Sequence, residues 1–242
     1  MMYNRSMRLD KLLANSGCGS RSAVRKMIGS GKVCVNGVTV KDPQANVSEE
    51  DDITLDGAPV NTSTYLYFVL DKPDEVLTAM EDTRHRCVGD FIPDHLKGKH
   101  LSPVGRLDYH TTGLLIITND GSLNHALTSP KYRIPKTYRV EYEGDPVTDD
   151  IVNEVSLGIT LKDMDHDVPL APAGIEIIDS KTCLITLTEG KTHEVRRIIS
   201  HYGRQVVTLR RIRLGTLTMD DQNPGFLRPL TTEEIQSLKA ML

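Results

Sequence analysis

The chain is poor in the residue patterns that mark several common protein classes. Its four cysteines, Cys18, Cys34, Cys87 and Cys183, are scattered and form no C-x-x-C pair. That spacing speaks against a zinc site or a disulfide framework and leaves four reduced, small apolar side chains. No apolar run approaches the roughly 18–20 residues needed to cross a bilayer. The opening Met-Met-Tyr-Asn-Arg-Ser has no apolar core of signal-peptide type, so a cytosolic location is expected. His85, His193 and His201 do not form a metal-ligand spacing. Gly29-Ser30-Gly31 is not followed by a phosphate-loop Gly-Lys-Ser/Thr, and no Gly-x-Ser-x-Gly elbow is present. Neither a metal nor an organic cofactor is expected. Long repeats and low-complexity segments are also missing.

What is present is a globular composition with segregated charge. Hydrophobic residues make up 38% and charged residues 26% of 242, enough for one or two folded domains. The net charge of −4 argues at first against nucleic acid. Its distribution reverses that impression. Residues 1–41 hold eight Lys or Arg and one acid, whereas 42–56 hold six acids and no base. Residues 131–139 hold four bases and no acid, and 189–213 hold seven bases and two acids. A nearly neutral chain with such blocks can still present basic surfaces to phosphate.

The first 60 residues read as a compact module. Leu9, Leu12 and Leu13 follow helical spacing, and Gly17 and Gly19 break that helix. Ser20 is an N-cap candidate for a second helix with Val24, Met27 and Ile28 as its apolar stripe. Val33 to Val40 reads as a hairpin turning at Asn36-Gly37, and Ile53-Thr54-Leu55 as a closing strand. Asp42-Pro43 opens an acidic loop, and the polar stretch Pro59–Thr64 is the expected linker. Beyond it, strands are expected at Tyr65–Leu70, Leu114–Thr118, Tyr138–Tyr142, Ala173–Ile178, Leu184–Thr188 and from Val206. Helices are expected at Ser122–Leu127, Thr148–Leu157, Thr192–Tyr202 and Thr231–Leu242. This order predicts an α+β protein: a small domain at residues 1–60 and a larger one at 61–242 with a mostly antiparallel mixed sheet.

The N-terminal module places Arg8, Lys11, Arg21, Arg25, Lys26 and Lys32 on two short helices and their loops. Cations on a small rigid unit neutralise phosphates and release counterions. With few aromatics, the module would read RNA shape more than sequence. Met7-Arg8-Leu9-Asp10-Lys11-Leu12-Leu13, Ser20-Arg21-Ser22-Ala23-Val24 and Gly31-Lys32-Val33-Cys34-Val35-Asn36-Gly37 together resemble the S4-type RNA-binding domain. The resemblance covers roughly residues 7–55 and implies RNA contact by Arg8, Lys11, Arg21 and Lys32.

The second informative segment runs from Gly105-Arg106-Leu107-Asp108 through Thr112-Gly113-Leu114-Leu115-Ile116-Ile117 to Asp120-Gly121. An Asp in a loop is usually a cap or a solvated charge. The whole string, however, resembles the central motif of pseudouridine synthases of the RsuA group, whose Gly-Arg-Leu-Asp carboxylate is catalytic. His110 stands where that group usually has an acid or Asn. Lys136-Thr137-Tyr138 resembles the group's Lys-x-Tyr strand, whose Tyr packs on the target base. Glu189 through Arg197 resembles its late motif, whose basic residue, here Arg196, pairs with the catalytic Asp.

The resemblance implies catalytic roles for Asp108, Tyr138 and Arg196, with Arg106 and Lys136 at the substrate. The implied reaction breaks the N-glycosidic bond of a uridine, turns the base and rejoins it through C5, with no redox change. Asp108 would act as a carboxylate, by covalent attack or by removing a proton from the sugar; the residues permit both. Arg106 could fill the space left by an extruded base. Ribosomal RNA or a pre-ribosomal particle is the expected partner, with a monomeric enzyme. Val76-Leu77-Thr78-Ala79, Cys87-Val88-Gly89-Asp90 and Arg228-Pro229-Leu230-Thr231 resemble the branch acting on small-subunit 16S RNA; large-subunit 23S RNA is the alternative. A non-catalytic ribosome-assembly factor would explain the first module but not the three motif residues. A glycoside hydrolase would need a second carboxylate in a comparable motif.

Overall fold

The computed structural model describes residues 7–16, 18–48, 51–60, 65–162, 167–219 and 222–242. Gly17, Glu49-Glu50 of the acidic loop and residues 61–64 of the expected linker lie outside the described residues. The chain divides into two compact units, residues 1–65 and 66–242.

Unit 1 contains β1 (Met7–Arg8), α1 (Leu9–Asn15), α2 (Arg21–Gly29), β2 (Val33–Val35), β3 (Val38–Thr39), β4 (Asn46–Val47), β5 (Ile53–Leu55) and β6 (Ala58–Pro59). No side chain caps α1; its first N–H groups donate to the carbonyls of Ala45 (2.9 Å) and Pro43 (3.0 Å). Helix α2 is capped as its sequence suggests, with Ala23 N–H donating to Ser20 Oγ at 3.3 Å. Asn36 and Gly37 both take positive φ, the condition for the tight turn joining β2 to β3. Asp56 and Gly57 repeat that geometry and add β6, a strand the sequence reading lacked. Leu9, Leu12, Leu13, Val24, Ile28, Val33, Val47 and Ile53 are buried together. At about 1.5–3 kcal/mol for each fully buried aliphatic side chain, the small unit has a core of its own. Met27 is not among the buried residues of this core.

Unit 2 runs β7 (Tyr67–Lys72), β8 (Ser102–Pro103), β9 (Thr112–Thr118), α3 (Gly121–Thr128), β10 (Lys136–Glu143), α4 (Asp149–Leu157), β11 (Thr160–Lys162), β12 (Asp167–Pro169) and β13 (Gly174–Ile177). It continues with β14 (Thr182–Leu187), α5 (Glu194–His201), β15 (Gln205–Leu214), β16 (Leu217–Thr218), β17 (Leu227–Pro229) and α6 (Thr232–Lys239). One sheet has the order β13-β14-β10-β15-β9-β7-β17, with β16 on β15 and β8 on β9. Its pairings are antiparallel except β15 with β9, which meet in parallel at Arg210↔Thr112 and Arg211↔Gly113. The protein is thus α+β, with the expected mostly antiparallel sheet. The small ribbon β11–β12 is an addition to the sequence reading.

The central strand β9 buries Leu114, Leu115, Ile116 and Ile117, which explains its uninterrupted apolar run. Helix α5 buries Val195, Ile198 and Ile199 along one face. Strand β7 ends later than expected, so Asp71 and Lys72 lie buried inside it and not in a turn. Asp71 receives a bidentate pair from Arg210 at 2.7 and 3.0 Å, which ties β7 to β15 across β9.

Candidate active site

Asp108 stands in the turn that leads into β9, and the surrounding bonds fix that turn. Val104 N–H donates to Ile116 O at 2.8 Å, and Gly105 then reverses the chain at φ +70°. The Thr78 hydroxyl donates to Leu107 O at 2.6 Å and accepts from Leu107 N–H at 3.2 Å. Thr111 N–H closes the turn on Asp108 O at 3.0 Å. From beneath, the buried Lys72 ammonium donates to the carbonyls of Thr111 (2.8 Å), Pro73 (3.0 Å) and Tyr109 (3.2 Å). Burial pushes Lys72 down to about 8, opposed by the charges of Asp74 and Asp108. Gly113, at φ +97°, lets β15 cross: a Cβ there would lie 2.3 Å from Arg211 O.

The turn forms one wall of a cleft of about 550 Å³. Arg106, Asp108, Lys136 and Tyr138, four residues assigned from the sequence, all line it. The Asp108 side chain is 41% exposed, and His193 Nε2 lies 3.6 Å from its Oδ1. Tyr138 on β10 is the cross-strand partner of Arg211 on β15, so their side chains leave the sheet on one face. Lys136 Nζ donates to Ile134 O at 3.2 Å and Glu189 O at 3.5 Å. Burial, then the nearby Arg211 charge, lower its pKa, while Glu194 opposes that shift. Burial pushes Glu194 up to about 7, and the neighbouring Glu189 adds to the rise.

Arg196 requires a correction. The resemblance implies an ion pair with Asp108, but no ion pair within 4 Å joins the two, and Arg196 does not line the cleft. It reaches instead from α5 to His110, where Nη2 donates to the main-chain oxygen at 3.0 Å. That carbonyl belongs to the same turn as Asp108, so Arg196 supports the turn rather than the carboxylate. The position next to Asp108 is taken by His193, held at φ +52° at the start of α5.

In unit 1 the sequence-assigned cations are not equivalent. Arg8, Arg21 and Arg25 converge on Asp10, a fully buried carboxylate, at 2.9, 3.3 and 2.8 Å. Burial pushes Asp10 up, but the three guanidinium bonds outweigh it and hold the carboxyl well below the usual range. The arginine side chains remain 36–52% exposed, so three cations are fixed at the surface around one acid. Lys32 pairs with Asp56 at 3.0 Å, and Lys11 is exposed.

Sequence reasoning missed Lys72, Thr78, His193, Glu194 and Arg211 as parts of this site. Lys72 read as the charged end of a strand, and Arg211 as one member of a basic block. Glu194 and His193 stand inside the late motif, whose resemblance singles out Arg196. A local signal exists for the last pair and for Thr78, which stands in the Val76-Leu77-Thr78-Ala79 string.

Comparison with known proteins gives the family. The RNA pseudouridylate synthase family matches residues 66–201, and the S4 domain matches residues 7–53. YtzG of Bacillus subtilis, described as an uncharacterized RNA pseudouridine synthase, is 39% identical over 96% of this chain and 98% of its own. Ribosomal small subunit pseudouridine synthase A of Escherichia coli K12 is 37% identical over 96% of this chain and all of its own. A crystal structure of a pseudouridylate synthase superposes with TM-score 0.66 at 35% identity, covering 96% of this chain and 100% of that one. With a turn-borne carboxylate beside a cross-strand tyrosine in one cleft, and likeness along nearly its whole length, the chain belongs to the RNA pseudouridine synthases and carries an S4 domain ahead of its synthase domain.

Proposed function

We propose that this enzyme isomerises a specific uridine of small-subunit 16S ribosomal RNA, with Asp108 as the catalytic carboxylate. The observation that carries this reading is the gathering of Asp108, Tyr138, Arg106 and Lys136 around one cleft. Relatives matching nearly the whole chain are named ribosomal small subunit pseudouridine synthase A, which supports the choice of subunit.

The target nucleotide leaves its stack, because neither the glycosidic bond nor C5 can be worked on within a helix. Its uracil lies on the Tyr138 ring. Arg106, exposed at the cleft, meets the flanking phosphate or the space left by the base. Asp108 meets the ribose side, where attack at C1′ or removal of a sugar proton each labilises the bond to N1. The detached base turns within the cleft, C5 bonds to C1′ as the Asp108–C1′ ester breaks or, on the other route, as the sugar regains its proton, and the C5 proton departs as N1 gains one. Atoms and electrons balance without oxidant or energy input. The enzyme acts as a cytosolic monomer on naked RNA or a pre-ribosomal particle.

The test is pseudouridine mapping on 16S and 23S RNA, naked and in subunits, after incubation with the purified protein. A single modified uridine in 16S RNA is expected. Modification confined to 23S RNA would refute the choice of subunit, and a substrate-independent absence of pseudouridine would refute the enzyme assignment.

A further inference from the structure

Three described residues that line the cleft carry a buried polar atom without a hydrogen-bond partner: Thr111, through Oγ1 in the turn before β9, Arg211 and Glu194. Arg211 is 2% exposed; its Nε donates to Leu114 O at 2.8 Å, while Nη2 has no hydrogen bond. Glu194 is 4% exposed; its Oε2 accepts Lys191 N–H at 2.8 Å, while Oε1 has no hydrogen bond. Both residues line the cleft beside Asp108 and Tyr138. The Glu189 carboxyl lies within hydrogen-bonding reach of the Glu194 side chain, and when both are ionised it offers Glu194 no proton; the nearest N–H donors are engaged elsewhere. Lys136 Nζ is on the carbonyls of Ile134 and Glu189, and Lys191 Nζ lies 2.8 Å from Glu189 Oε2. No ion pair joins Arg211 to Glu194.

Buried donors and acceptors are nearly always satisfied in native proteins, because leaving one unmade is costly. An unpaired donor and an unpaired acceptor in one cleft therefore call for a ligand edge with the opposite pattern. Uracil has such an edge: N3–H donates, and the carbonyls at C2 and C4 on either side accept. Arg211 faces Tyr138 across β10 and β15, so its guanidinium borders the surface on which the base would lie.

We infer that Glu194 and Arg211 recognise the uracil edge, with Glu194 Oε1 accepting N3–H and Arg211 Nη2 donating to a flanking carbonyl. This rests on the reading of the cleft as the uridine site. Cytosine presents a lone pair at N3, which a carboxylate opposes, so the pair selects uracil. An N–H donor also offsets the burial and the neighbouring Glu189 carboxyl that together push Glu194 up to about 7, because it favours the ionised form. Asp108 is thereby left with the sugar and need not select the base.

The experiment uses the full-length enzyme and RNA fragments carrying tritium at C5 of the target, as uridine or as N3-methyluridine. Single-turnover tritium release is measured for wild type, Glu194→Ala and Glu194→Gln. Wild type should release from N3-methyluridine at least about tenfold more slowly than from uridine, the scale of one charged hydrogen bond. Glu194→Ala should be slower on uridine and should discriminate by less than about threefold. Glu194→Gln keeps an acceptor oxygen and should recover most of the uridine rate. An equal N3-methyl penalty in wild type and Glu194→Ala would overturn the Glu194 contact. For Arg211, 2-thiouridine and 4-thiouridine replace one carbonyl at a time in the wild-type enzyme, which avoids a buried substitution. Slowing by one of them is expected, and indifference to both would overturn the Arg211 contact. An Asp108→Asn enzyme that still isomerises would overturn the cleft reading and this inference with it. Normal Asp108 dependence with no N3 penalty would overturn this inference alone.

Discussion

In the N-terminal unit the acid Asp10 lies inside and its cations lie outside; around Asp108 in the C-terminal unit that order is reversed. Asp10 is fully buried under Arg8, Arg21 and Arg25, whose guanidinium groups stay partly exposed. Around Asp108 the cations Lys72 and Arg211 are buried, and the carboxylate is 41% exposed. One arrangement holds three cations at the surface with the side chains already positioned, which would lower the ordering cost of contact with a phosphate backbone. The other leaves a carboxylate exposed at the cleft while Lys72 beneath it donates to the carbonyls of its turn. The two sites thus differ in which charge reaches solvent: the arginines around Asp10, and the carboxylate of Asp108.

The largest effect should come from Asp108→Asn, which keeps the shape of the exposed partner and removes its charge. Pseudouridine formation by the purified variant should be lost essentially completely, while RNA affinity in a filter-binding assay stays near wild type. Turnover near the wild-type rate would end the assignment. Lys72→Met removes the buried cation beneath the same turn and leaves three carbonyls without their donor. A loss of about 2–4 kcal/mol in urea unfolding is expected, with a lower rate at unchanged RNA affinity.

Glu194→Gln probes the buried acid of the cleft through pH. The carboxyl titrates near 7 in the folded state and near 4.5 when unfolded, so the unfolded chain gives up its proton first. The wild type therefore loses stability as pH rises between those values, whereas the Gln variant does not. The stability gap in favour of Glu194→Gln should be small below pH 4.5 and reach on the order of 2–3 kcal/mol by pH 8. A gap that does not vary with pH would mean Glu194 ionises normally. Arg196→Ala removes a charged donor from His110 O, and about a tenfold fall in single-turnover rate should result. Because the guanidinium braces the turn and does not touch Asp108, the fall should be the same at every pH. An acidic limb displaced upward would restore the charge-pairing role.

The smallest effects belong to unit 1 and sharpen the contrast. Asp10→Asn removes a negative charge from an RNA-binding unit yet should weaken RNA binding, because three arginines lose their common anchor. Tighter binding would show that positioning does not matter there. Lys11→Ala and Arg21→Ala should each reduce the log–log salt slope by roughly 0.7–0.9 where the side chain meets a phosphate. Arg21→Ala should also lower the melting temperature, since Arg21 holds Asp10 and Lys11 does not.

The sequence by itself determined the elements whose cause is local. Ser20 caps α2, Asn36-Gly37 turns a hairpin, and Val195, Ile198 and Ile199 mark one face of α5, because caps, turns and amphipathic faces depend on neighbouring residues. It also placed Asp108, Tyr138, Arg106 and Lys136 in motifs that the fold brings to one cleft. Tertiary structure decided which charges are buried and whom they meet. Nothing local says that Lys72, read as the end of a strand, lies under the turn that carries Asp108. Nor does the chain order show that Arg211 stands opposite Tyr138, or that Arg196 reaches His110 and leaves Asp108 to His193. Those partners are far apart in the chain, and a charge's role is set by burial and by its nearest opposite charge, both products of the folded arrangement.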